Sequence, residues 1–237
     1  MYMSTDDALM DAADLSMMQL SDSFFPTGMY SMSNGLEAIF YSGKKMKAEE
    51  LRELVKTLVE YQIGPADCTA LGNAYEHAAK SNLPKLLEVD RAIFSMKLIQ
   101  EIRDASIRSG TQLVRCIRSF SDNKMLGQYE DSIRGGQAFG PYPVALAVAA
   151  NAFLIPKRKA ALMMLYSFSV SIVGAALRLG MLQHFDGQKV IDELKPTILN
   201  VIKANINRPI EGIWQFAPSI DIMQISHERM NSKMFIT

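Results

Sequence analysis

The chain has 237 residues, 49% of them apolar, with 25 basic and 25 acidic side chains and a formal net charge of zero. That length and apolar fraction support a substantial core in one large or two small domains, while charge neutrality argues against general affinity for nucleic acid or an anionic membrane, both of which need a basic excess. The two cysteines, Cys68 and Cys116, match no metal or redox spacing, and no signal-peptide pattern opens the chain, so a cytoplasmic protein is expected.

Apolar spacing is helical almost throughout. Residues 1–17 read as a flexible N-terminus. Residues 21–37 interrupt the pattern with Pro, Gly, Ser and aromatics, and Phe24, Phe25, Met29, Tyr30 and Met32 make the stretch too apolar for an ordinary surface loop. Leu51, Leu54, Val55, Leu58 and Val59 form a helical stripe. Gly64-Pro65 is then expected to end that helix and start the next, which carries Ala70, Leu71, Ala74, Tyr75 and Ala78. Asn82 is the expected cap of a helix from Leu83. A long helix follows with Leu98, Ile102, Ala105, Leu113, Val114 and Ile117 apolar. Its arginines 103, 108, 115 and 118 spread around it, as on a solvated surface.

Residues 135–156 and 160–177 lack charge and approach membrane-span length. Their Pro, Gly and Ser content favours buried central helices of a bundle over a membrane protein. Gly140-Pro141-Tyr142-Pro143 is a second irregular break. Asp186-Gly187 is expected to be a turn, with Pro196 breaking or kinking a helix that starts near Gln188.

The last twenty residues carry Met223, His227, Met230 and Met234 at i, i+4, i+7 and i+11, one face of a helix with Ser219 as N-cap and Asp221 in its first turn. Burying the six anchors Ile222, Met223, Ile225, Met230, Met234 and Phe235 does little more than offset the backbone entropy of ordering the stretch. Residues 218–237 are therefore expected to be loosely held on the isolated chain and to order against a partner; the alternative is a helix docked on its own domain. No alternating β-branched runs occur. The expected fold is all-α, a single-domain bundle of roughly ten helices with short connections over residues 1–237.

No Walker loop, nucleophile elbow or dinucleotide fingerprint is present. His227-Glu228 begins a zincin-like pair, but residue 231 is Asn. His77 and His184 lie elsewhere. The pattern reads as a protein-interaction component, not an enzyme. The alternatives are a metal-binding hydrolytic enzyme around His227, Glu228 and His184, or a helical membrane protein.

Pro26-Thr27-Gly28-Met29-Tyr30-Ser31-Met32-Ser33-Asn34-Gly35-Leu36-Glu37 resembles the N-terminal signature of the urease accessory protein F family. The tail resembles its C-terminal signature through Asp221-Ile222, His227-Glu228 and Ser232-Lys233-Met234-Phe235. Between them, residues 101–106 with Gly110, then Tyr142-Pro143, then residues 175–180 including Arg178, fall in the family's order. Met32, Tyr142, Ile225 and Lys233 depart from its usual residues, and Lys233 lacks the planar fork of the usual arginine.

The resemblance implies an all-α homodimer that binds accessory protein D (H in some species) and the nickel-carrying GTPase accessory protein G. Together these act on apo-urease as a GTP-dependent metallochaperone. The F component would bridge the other two and bind no cofactor itself, nickel and GTP being handled by the partners. By the same resemblance Asp221, His227, Glu228, Ser232, Lys233 and Phe235 would dock protein D. Pro26, Gly28, Tyr30, Ser33, Gly35, Glu37, Tyr142, Pro143 and Arg178 would shape partner or dimer surfaces.

Overall fold

The computed structural model describes residues 5–43 and 46–237, without the side chains of residues 5–9 and of Tyr30. Among the described residues the structure is helical, with no strand. In chain order the helices are α1 (Thr5–Ser21), α2 (Leu36–Tyr41), α3 (Ala48–Leu58), α4 (Thr69–Ala79), α5 (Leu83–Met96) and α6 (Gln100–Arg118). They continue with α7 (Lys124–Arg134), α8 (Tyr142–Ala152), α9 (Lys157–Arg178), α10 (His184–Asn205) and α11 (Pro218–Glu228). Short 3₁₀ turns occupy Met29–Ser31 and Ile210–Gly212.

The two uncharged stretches form the centre. α8 is buried from Tyr142 through Ala150 and packs against α4, α6 and α9. Its alanines let those neighbours approach closely, because side-chain bulk sets interhelical distance. α9 is long and apolar enough to cross a membrane, yet two thirds of its most apolar stretch is buried inside the protein. It lies against α8 and α10, and Ser169 and Ser171 return their hydroxyls to the Leu165 and Phe168 carbonyls of the same helix. That disposes of two buried polar groups without a partner helix.

Several sequence expectations need correction. Gly64-Pro65 does not separate two helices: a ten-residue π-helical segment, Val59–Cys68, carries the chain continuously from α3 into α4. The wider π turn admits a residue that lacks an N–H and whose ring would otherwise strike the carbonyl one α turn back. Gly64 is needed for proximity, since a Cβ there would stand 2.3 Å from Val201 Cγ1 on α10. Nor does Pro196 end a helix, because α10 runs through it to Asn205, and it starts at His184, so Asp186-Gly187 lies in its first turn. α11 is capped at Ala217 with Pro218 in the first turn, two residues ahead of the expected Ser219 cap, and it ends at Glu228. Met230 and Met234 therefore do not extend its stripe. Asn82 caps α5 as expected, its side chain accepting from Lys85 N–H at 3.2 Å.

Candidate functional site: a buried clasp under the C-terminal segment

Residues 26–37 and 218–237, the two ends of the signature, meet in space. Gly35 caps α2 at φ +89°, a conformation that disfavours any side chain. A Cβ there would also crowd Gln224 of α11 at 3.1–3.2 Å. α2 and α11 thus pack backbone to side chain, and the next turn of α2 delivers Glu37 to the underside of the tail.

Glu37 is fully buried and is the hub. One carboxylate oxygen accepts from Met234 N–H at 2.7 Å, the other from Phe235 N–H at 3.0 Å. The second oxygen also lies 3.0 Å from His227 Nε2. His227 is itself fully buried, and its Nδ1 lies 2.6 Å from Glu101 Oε2 on α6. A carboxylate thus lies at each ring nitrogen, and the imidazole bridges two acids from different helices. Burial pushes the Glu37 carboxyl up, but the Met234 N–H, the His227 ring and the Phe235 N–H outweigh it and hold the group below the ordinary glutamate value.

Lys233 closes the outer edge. Its Nζ donates to Glu101 Oε1 at 2.7 Å and to the Glu228 carbonyl at 3.0 Å. Glu228 is exposed, with its carboxylate 3.4 Å from the Glu101 N–H at the start of α6. Phe235 is buried, and the Arg178 guanidinium lies 4.4 Å from its ring centroid. Arg178 also donates to the Gly174 carbonyl at 3.1 Å.

The chain end zips onto the loop ahead of α2. Ile236 N–H donates to the Ser31 carbonyl at 2.8 Å, and Ser33 N–H donates to the Thr237 carbonyl at 2.7 Å. The Ser33 hydroxyl donates to that same carbonyl. At the other end of α11, Asp221 accepts from Gln62 Nε2 at 2.6 Å, and Gln224 Nε2 lies 3.4 Å from both Gln62 Oε1 and the Asn34 carbonyl. Burial raises the Asp221 carboxyl above its ordinary value, offset in part by the Gln62 amide.

The tail is therefore held by polar anchors on its inner side, with Ile220 and Phe235 as its buried apolar ones. Four of the six expected anchors lie elsewhere: Ile222 is 65% exposed and Met234 61%, Ile225 is exposed, and Met230 is half-buried. Ser232 is exposed, as are Pro26 and Gly28. The Tyr30 side chain lies outside the described residues.

Tyr142 and Pro143 belong to a separate anchor point. Asp90 of α5 is buried and accepts from Tyr129 O–H at 2.7 Å, Phe139 N–H at 2.7 Å and Gly140 N–H at 3.0 Å, fixing the entry to α8. Burial dominates here and raises the Asp90 carboxyl, the three donors offsetting only part of it. Tyr142 starts α8 with its N–H on Ser106 Oγ at 3.2 Å, and burial pushes its phenol up to about 12. Sequence reasoning assigned no role to Asp90, Glu101, Gln62 or Gln224. Glu101 stood within a family-like stretch, but the other three carried no local signal, because their partners lie 39 or more residues away.

Among the described residues no group of three or more His, Cys, Asp or Glu side chains is arranged to hold a metal ion. The clasp is a set of saturated hydrogen bonds, suited to positioning a segment.

The family model UreF matches residues 46–195. Across 221 residues the chain is 30% identical to the urease accessory protein UreF of Trichodesmium erythraeum, covering 93% of this chain and 95% of the relative. It is 31% identical over 222 residues to urease accessory protein UreF 1 of Brucella melitensis, covering 94% and 92%. The UreF of Actinobacillus pleuropneumoniae is 23% identical over 221 residues, covering 93% and 97%. These relatives are named as accessory proteins, not as enzymes. The match of the family model to more than half of the chain, and of full-length relatives to nearly all of it, establishes that the chain belongs to the UreF family of urease accessory proteins.

Proposed function

We propose that the chain is a non-catalytic scaffold in urease maturation. It bridges accessory protein D (or H) and the nickel-carrying GTPase accessory protein G, and so helps GTP-dependent insertion of nickel into apo-urease. It works in the cytoplasm as a homodimer within that larger complex, and nickel and GTP are handled by its partners. Residues 218–237 are its docking element for protein D.

One observation carries this reading. The clasp grips the tail from beneath, while Ile222 and Ile225, three residues apart on one helix face, stay exposed together with Met234. An amphipathic helix that is pinned by polar bonds on one side and apolar on the other presents a pre-ordered surface, which lowers the entropy cost of binding. In this reading His227, Glu37, Ser33 and Phe235 act by shaping the tail, while Ile222, Ile225 and Met234 touch the partner.

The test is co-purification of protein D with three forms of the chain: intact, truncated after Ala217, and carrying Ile222→Asp with Ile225→Asp. Both altered forms are expected to lose protein D, and the exposed double variant should melt as the intact chain does. Undiminished capture by the truncated chain would remove the tail from the interface.

A further inference from the structure

A groove of about 580 Å³ runs between α6 and the loop that leads into α2. Pro26, Met32 and Ile236 line one wall, and Arg108, Ser109 and Arg115 line the other. Among the described residues no acidic side chain borders it. It adjoins the clasp, because Ile236 is hydrogen-bonded to Ser31, and each wall is anchored in the fold, Met32 and Ser109 both being buried.

The charge in this groove comes from α6. α6 carries Arg103, Arg108, Arg115 and Arg118. Arg103 donates to the Lys97 carbonyl and stacks on Phe94, and Arg118 donates to the Ser121 carbonyl and pairs with Glu130 and Asp122. Arg108 and Arg115 are exposed and form no ion pair among the described residues. Seven residues apart, they stand on one face of α6 about 10 Å from each other along its axis. Two exposed guanidinium groups thus line the same groove as the apolar Pro26, Met32 and Ile236.

We propose that this groove binds an acidic segment of a protein partner: an extended stretch with two carboxylates and an apolar residue between them. The carboxylates would take bidentate bonds from Arg108 and Arg115, the geometry that guanidinium favours. The apolar residue would lie on Pro26, Met32 and Ile236. The proposal rests on the scaffold reading above and adds a second docking surface to it, fed by a different chemistry from the apolar edge of α11.

The experiment uses the intact chain and a fluorescein-labelled peptide of alternating Glu and Leu, with a Gln-for-Glu peptide as control. Saturable binding of the acidic peptide, weakened by salt and absent with the Gln peptide, is expected. Arg108→Glu with Arg115→Glu should weaken it at least about tenfold, the scale of close charge-pair coupling at interfaces, with an unchanged melting temperature. Should the double variant melt early, Arg108→Gln with Arg115→Gln serves in its place. Equal binding by wild type and variant overturns the proposal, as does no saturable binding at all. So does competition by inorganic phosphate at constant ionic strength, which marks a simple anion site. Conversion of a dimeric chain to monomer by the same substitutions overturns it too, because the occupant is then a second copy. Loss of peptide binding with intact capture of protein D separates this groove from the tail. A deletion strain that still makes active urease would instead remove the scaffold reading beneath it.

Discussion

Two buried carboxylates, Glu37 and Asp90, do the same local job with opposite electrostatics. Each accepts two backbone N–H groups from an irregular segment and pins it to a helix: Met234 and Phe235 for Glu37, Phe139 and Gly140 for Asp90. The third partner differs. Glu37 faces the His227 ring and titrates below its ordinary value, whereas Asp90 faces the neutral Tyr129 phenol and burial raises it. A carboxylate that meets an imidazole and two amides holds its charge in the interior, and one whose third partner is a phenol holds it less firmly. The first pins a chain end at the surface of the bundle. The second pins the loop between α7 and α8 to α5.

The largest effect is expected at Asp90. Asp90→Ala leaves Tyr129 O–H and two backbone N–H groups unpaired in the interior, and urea unfolding should show a loss of about 3 kcal/mol or more. Glu37→Gln is expected to cost about 2 kcal/mol by the same measurement. Its effect should be regional: hydrogen exchange at residues 229–237 accelerates while α8 and α9 stay protected. If Asp90→Ala proved equally regional, the distinction between a pin within the bundle and a pin on the chain end would fail.

pH should divide the two sites. The lowered Glu37 group contributes stability that is fully present above the ordinary glutamate pKa, about 4.3, and is lost as pH falls through its lower folded value. The raised Asp90 group works the other way: it opposes folding at neutral pH, and that cost is relieved as pH falls through its raised value towards the ordinary aspartate pKa, about 3.9. On acidification below about pH 4 the amides of Met234 and Phe235 should lose protection before those of Phe139 and Gly140. The reverse order in an exchange experiment would break the comparison. The smallest effect is expected from Lys233→Ala. Its bond to Glu101 lies near the surface, so loss of about 0.5 kcal/mol or less should follow, with the tail still docked.

Legibility in the sequence followed interaction range. The stripe at residues 51–59, the Asn82 cap and the burial of the two uncharged stretches rest on neighbours within a turn or on composition, and all are found in place. Pro65 was expected to open a new helix after a Gly64 cap and Pro196 to break or kink one, yet both lie within continuous helices. Local propensity favours a break at each, but packing against surrounding helices supports the helix through it. The tail was legible as amphipathic but not as to which side is held. An apolar stripe says where burial is favourable, and here saturated polar bonds to Glu37, Glu101 and Gln62 decide the seating instead.

By itself the amino-acid sequence determined the all-helical class, the central helices, and the pairing of signatures that carries the family, because these depend on residue spacing along the chain. Only the tertiary structure decided that Glu37 and His227, 190 residues apart, are bonded partners, and that α11 turns Ile222 outward and Gln224 inward. A buried polar group must find its complement wherever the fold brings one within about 3 Å, and no periodicity along the chain encodes that distance.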